Sequence, residues 1–75
     1  MTTLETIQQL VMKIGELESI DPDADIYRAG IESLDGMDLM VDLENQFGIR
    51  LSDDEFLSAR TCKALESLVN RSRKA

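Results

Sequence analysis

Ser33-Leu34-Asp35-Gly36-Met37-Asp38-Leu39-Met40-Val41-Asp42-Leu43-Glu44-Asn45-Gln46-Phe47-Gly48 is the stretch whose reading decides the fold. Leu39, Met40, Leu43 and Phe47 recur at spacings of one, three and four, which sets them on one face of a helix. Ser33 stands where an N-cap belongs, and Asp35 in the first turn suits the positive end of the helix dipole. Gly48 directly after Phe47 is a C-cap. The spacing predicts a helix over 33–47. That helix holds more apolar residues than one seam can use. Met37 and Val41 fall away from the Leu39 face, among Asp35, Asp38 and Asp42. Two apolar knobs inside an acidic rim suit transient protein docking, because the knobs desolvate and the rim steers. The same pattern also describes a helix buried on more than one side.

The flanks extend the helical reading. Leu4, Ile7, Leu10, Val11, Ile14 and Leu17 form a helical stripe, with Thr2 or Thr3 as cap and a fraying end at Gly15. Residues 18–29 contain Pro22 and little periodicity, so they read as a long loop pinned by Ile26 and Tyr27. Ile49-Arg50-Leu51 is a short extended link. Ser52 and Glu55 have capping-box spacing and open a short helical turn to about Leu57. Thr61 to about Asn70 gives the last helix, with Ala64, Leu65, Leu68 and Val69 inward. No stretch alternates long enough for a sheet. The expected fold is all-α: a small four-helix bundle of three main helices and one short one, with a long first loop. The whole chain, 1–75, reads as a single domain ending in a flexible basic tail over 71–75.

Composition limits the partners. The chain of 75 residues has 8 basic and 15 acidic side chains, a formal charge of −7. The imbalance is uneven, with 3 basic and 14 acidic groups over residues 1–59 but 5 basic and 1 acidic over 60–75. Such a body repels nucleic acid and anionic membranes and attracts a basic patch on a protein. No apolar run approaches the ~20 residues that span a bilayer, and no signal peptide is visible. One cysteine, Cys62, allows no internal disulfide. A soluble, monomeric, cytoplasmic protein is expected. With two phenylalanines, one tyrosine and no tryptophan, its core must be aliphatic.

Ser33 has three readings. It is a helix cap; or it is a nucleophile; or it is an attachment point. A catalytic serine needs a neighbouring base, and the chain has no histidine. A phosphate carried on a serine at a helix start would meet unpaired backbone N–H groups and the positive end of the dipole.

Gly30-Ile31-Glu32-Ser33-Leu34-Asp35, then Met37-Asp38-Leu39, then Leu43-Glu44-Asn45-Gln46-Phe47-Gly48-Ile49 closely resembles the acyl carrier proteins. Asp53-Asp54-Glu55 and Thr61 fit the same pattern, and the resemblance spans about residues 4–70. It implies a non-catalytic carrier. Ser33 would take 4'-phosphopantetheine from coenzyme A through a phosphopantetheinyl transferase and carry acyl groups as thioesters. Glu32, Leu34, Asp35, Met37, Asp38, Val41, Asp42 and Glu44 match the family's partner-docking surface for acyl-loading and acyl-processing enzymes. It implies also that an acyl chain can tuck between the helices. The cargo expected is fatty acyl or polyketide; the alternative is an aminoacyl or peptidyl carrier of nonribosomal synthesis. Glu32 replaces the family's usual aspartate, and Gly36 replaces a larger residue and opens the surface beside Ser33. Both departures suggest a specialised member.

Two features imitate other chemistry. Asp21, Asp23, Asp25 and Glu32 copy the spacing of EF-hand ligands, but the glycine at position six is Ile26, so no metal site is expected. Cys62 near the start of the last helix reads as a small space-filler.

Overall fold

The structure, a computed structural model, describes residues 1–73. Five helices follow one another: α1 (Thr3–Gly15), α2 (Ile26–Ala29), α3 (Ser33–Phe47), α4 (Asp53–Ser58) and α5 (Cys62–Arg73). The described residues form no strand, only an isolated bridge between Asp25 and Thr61. The all-helical expectation holds, with one addition: a single-turn helix, α2, inside the expected loop. Asp25 builds it by accepting the Tyr27 and Arg28 N–H groups at 2.9 and 3.2 Å.

The helix ends show how local chemistry sets the boundaries. Thr2 caps α1 in a reciprocal box: Glu5 N–H donates to Thr2 Oγ1 at 3.1 Å, and Thr2 N–H donates to Glu5 Oε1 at 2.9 Å. Glu16, not Gly15, takes the left-handed turn that closes α1 (φ 54°). Gly15 instead serves close approach, because a Cβ there would stand 2.9 Å from Ile31 Cδ1. Ser52 Oγ accepts Glu55 N–H at 3.2 Å and opens α4 as its spacing predicted. Thr61 Oγ1 accepts Ala64 N–H at 3.0 Å at the entry to α5.

α5 runs to Arg73, past the end expected near Asn70. Arg71 and Arg73 are therefore helical rather than part of a tail. Arg73 donates to Thr3 Oγ1 at 3.3 Å and lies over the Phe47 ring at 5.4 Å, which joins the two ends of the chain. Lys74 and Ala75 of the expected tail lie outside the described residues.

α1 packs on α3 and α5. Ile7 and Val11 of α1, Leu39 and Leu43 of α3, and Leu65, Leu68 and Val69 of α5 are fully buried. Each such side chain contributes about 1.5–3 kcal/mol on leaving water, which is how an aliphatic core serves where aromatics are scarce. Cys62 is buried in the same core, and burial pushes its thiol up to about 11, so it is an unreactive filler at neutral pH.

The long first loop is stitched down at several points. Gln8 donates to the Ile20 carbonyl at 2.9 Å, Lys63 N–H to the Pro22 carbonyl at 3.1 Å, and Ile26 N–H to the Arg60 carbonyl at 2.9 Å. The Arg60–Asp25 ion pair at 2.7 Å completes the seam. These bonds carry α2 to the start of α3, where the site lies.

Candidate functional site

Three consecutive steps present Ser33. The N–H groups of Gly30 and Ile31 both turn back to the Ile26 carbonyl, ending α2. Gly30 has φ 138°, a conformation that side-chain-bearing residues rarely adopt. Ile31 then drops into the core as an anchor. The chain leaves this anchor extended at Glu32 and enters α3 at Ser33.

Here the structure corrects one expectation. The N-cap of α3 is Glu32, and Ser33 is the first helical residue. Glu32 N–H donates to Asp35 Oδ2 at 3.3 Å, so the first turn is closed by its neighbours. Ser33 is exposed, and its hydroxyl is not the helix cap.

Beside Ser33 lies a cleft of about 360 Å³, lined by Tyr27 of α2, Ser33, Gly36, Met37 and Met40 of α3, and Asp53, Phe56 and Leu57 of α4. Its width depends on Gly36. A Cβ there would meet Tyr27 Oη and Cε1 at 3.6 Å and Phe56 Cε2 at 3.8 Å. The absent side chain leaves room in ordinary contact with both rings. Asp53 and Ser33 are the cleft's polar aliphatic side chains; the rest of the wall is apolar except for one atom. The Tyr27 hydroxyl is buried and has no hydrogen-bond partner among the described residues. Such an orphan costs about 1–3 kcal/mol. Burial also raises the Tyr27 pKa, so the group stays a neutral donor. The Arg60 guanidinium covers the ring at 4.7 Å and fixes its position.

The outward face of α3 matches the expected knobs. Leu34 is 80% exposed, Met37 61% and Val41 48%, at the i, i+3, i+7 positions of one stripe. Glu32 and Asp38 are exposed beside them and Asp35 is half-buried. Two of the residues singled out lie elsewhere. Glu44 is half-buried, and its Oε2 accepts Leu51 N–H at 2.9 Å, which ties down the link before α4. Asp42 turns toward α1, in a shallow depression with Leu10 and Lys13.

Sequence reasoning missed Leu57 and the role of Tyr27. Leu57 is 58% exposed and extends the apolar surface across the cleft onto α4. Its signal was the pair Phe56-Leu57 in a one-turn helix, which can bury one of the two but has no second core face for the other.

The EF-hand-like aspartates do local structural work. Asp21 accepts Asp23 N–H at 2.8 Å, Asp23 lies 3.5 Å from Lys63, and Asp25 is committed to Arg60 and to the start of α2. Among the described residues, no three potential ligands gather around a common point. No helix among them is long and apolar enough to cross a membrane.

The residues around Ser33 fit a phosphate-linked arm. An exposed hydroxyl stands on the first turn of a helix, where backbone N–H groups favour an anion, and an apolar cleft adjoins it. A family model described as "Phosphopantetheine attachment site" matches residues 3–69. No match is found among curated proteins.

Proposed function

Because the chain belongs to the phosphopantetheine attachment site family, we propose that Ser33 is the residue to which its 4'-phosphopantetheine is joined. A protein of this family is a carrier, not a catalyst, and holds the group covalently. The bound group supplies a thiol that carries cargo as a thioester. Everything else falls to the chain. Gly30, Ile31 and α2 hold Ser33 forward, and no histidine accompanies it. Activation of the hydroxyl is left to a phosphopantetheinyl transferase.

The observation that carries this reading is the position of Ser33: exposed, first in α3, and the one serine on the wall of the apolar cleft. Leu34, Met37 and Val41, with Glu32, Asp35 and Asp38 around them, form the surface offered to the transferase and to acyl-loading and acyl-processing enzymes. The acidic rim draws a basic partner, and the small apolar area lets it leave again. The cargo is a fatty or polyketide acyl group, carried by a monomer in the cytoplasm. The apolar wall of the cleft supports a carbon chain as the part that shelters there.

Incubation with coenzyme A and a broad-specificity phosphopantetheinyl transferase, followed by intact mass measurement, tests the attachment. Wild type gains one phosphopantetheine and Ser33→Ala gains none. An unmodified wild type beside a converted control carrier sinks the reading, as does modification of Ser33→Ala. Loading of the thiol by an amino-acid-activating enzyme in preference to acyl donors would turn the cargo assignment toward aminoacyl groups.

A further inference from the structure

Apart from Ser33 and the Asp53 carboxylate, the cleft beside Ser33 is apolar except at one atom, and that atom is an unmet donor. Tyr27 Oη is buried and unpartnered among the described residues. It faces the space left by Gly36, where a Cβ would approach it to 3.6 Å. The ring is held by Arg60 at 4.7 Å, and its backbone N–H is fixed by Asp25 at 2.9 Å. The hydroxyl is thus pre-positioned rather than free to seek water.

We propose that Tyr27 Oη donates a hydrogen bond to a carbonyl or hydroxyl oxygen on the acyl chain, so that the cleft retains oxygenated cargo over plain alkyl cargo. This rests on Ser33 as the attachment point. One donor in an apolar wall matches a chain that brings one acceptor. The amide carbonyls of the arm are competing acceptors, and the bare-arm form below separates them from the cargo. A saturated chain fills the cleft but leaves the Tyr27 hydroxyl orphaned. A keto or hydroxy chain fills it and satisfies that hydroxyl.

Tyr27→Phe removes the hydroxyl and little else. Wild type and Tyr27→Phe are compared unloaded, with the bare arm, and carrying hexanoyl, β-ketohexanoyl, β-hydroxyhexanoyl or δ-ketohexanoyl groups. Thermal melts read stabilisation, and intact mass confirms loading. Tyr27 is the single tyrosine and there is no tryptophan, so ultraviolet emission reports on this ring alone in wild type. Unloaded Tyr27→Phe should melt no lower than wild type, since the lost group had no partner. At least one oxygenated cargo should raise the melting temperature of wild type above that of the hexanoyl form and shift the tyrosine emission. The preference, read as the ratio of sheltered to released chain by NMR, should fall about fivefold in Tyr27→Phe.

A preference that survives in Tyr27→Phe overturns the inference, as does an unloaded variant that melts several degrees lower. Loaded cargo that stabilises neither protein also overturns it while leaving the attachment at Ser33 intact. An emission shift with the bare arm alone assigns the bond to the arm and overturns the cargo assignment. Failure to load either protein at all removes the attachment reading itself.

Discussion

The two sides of α3 are built to opposite ends. One side presents Leu39 and Leu43, four residues apart, to long helices that offer complete faces in return: Ile7 and Val11 from α1, Leu65, Leu68 and Val69 from α5. Nothing of these side chains reaches solvent. The other side presents Gly36 and Met40 to α2 and α4, helices of 4 and 6 residues that can each supply little more than one ring. Tyr27 and Phe56 approach, and a cleft remains between them. Stability and binding are thus divided between two faces of one helix. Phe56 aside, which the core also buries, the cleft side can be altered with small cost to the fold, whereas the seam side cannot.

The largest effect should come from breaking the seam. Leu43→Ala deletes a fully buried side chain and should cost about 2–5 kcal/mol. In a chain this short that is much of a total of about 5–15 kcal/mol. Met37→Ala removes an exposed group and should change stability by no more than about 0.5 kcal/mol. Urea unfolding followed by circular dichroism compares them directly. Equal losses from the two variants would end the distinction between the faces.

Gly36→Ala sharpens the contrast, because one methyl should move stability and binding in opposite directions. Gly36 lies inside α3, and its new Cβ would meet Tyr27 and Phe56 at ordinary contact distances of 3.6 and 3.8 Å. Helix propensity alone should then stabilise the fold by up to about 1 kcal/mol. The cleft narrows at its waist, so any extra stability conferred by an acyl chain on the arm should shrink. Melts of the unloaded and hexanoyl-loaded variant read both quantities. A variant that melts lower than wild type unloaded would show that the rings cannot accept the methyl.

The closed side was legible in the sequence and the open side only partly so. Helix-period spacing is a local signal, and α1 and α3 carry it over more than two turns and α5 over about one and a half. Caps at Ser52 and Gly48 were equally plain, and that of α1 was narrowed to Thr2 or Thr3, because caps depend on residues a few places apart. α2 has four residues and no period to detect; it exists because Asp25 caps it and distant Arg60 holds Asp25. Ser33 was singled out correctly as an exposed residue at the start of α3, but its place was missed by one residue. Glu32 and Asp35 share the closure of that turn, and a cap residue carries no unique side-chain signature there. Glu44 read as a surface acid because its partner is a backbone N–H seven residues away, which side-chain periodicity does not register. The cleft itself depends on three separate segments meeting, so only Gly36 hinted at it.

Acid should act on the open side through Asp25. The Asp25 carboxyl is held below its ordinary pKa by Arg60, helped by the backbone N–H groups of Arg28 and Tyr27 against an opposing effect of desolvation. A depressed folded-state pKa means that the ionised group stabilises the fold above the unfolded pKa, near 4, and that this is lost as pH falls through the folded value. Asp25 should therefore contribute in full at neutral pH and release α2 and Tyr27 only below about pH 4. Asp25→Asn should be less stable than wild type at pH 7 and lose less on acidification. Fluorescence of Tyr27 during an acid titration, beside circular dichroism of the long helices, would show the order of events. Simultaneous loss of both signals would mean that the two sides unfold as one unit.

The smallest effect concerns the outward stripe of α3, where charge and apolar contact should separate by their response to salt. Asp38 is exposed next to Met37, so Asp38→Lys should leave the fold unchanged within about 0.5 kcal/mol. If the acid steers a basic partner, reversal lowers the association rate with the transferase. That penalty is electrostatic over distance and shrinks as the screening length falls from ~30 Å at 0.01 M salt to ~10 Å at 0.1 M. Met37→Ala removes contact area that matters only after encounter, so its penalty should appear in dissociation and persist in salt. Initial rates of phosphopantetheine transfer across a salt series distinguish the two slopes. Parallel slopes for wild type and Asp38→Lys would remove steering from the account of this surface and leave Leu34, Met37 and Val41 to act by contact alone.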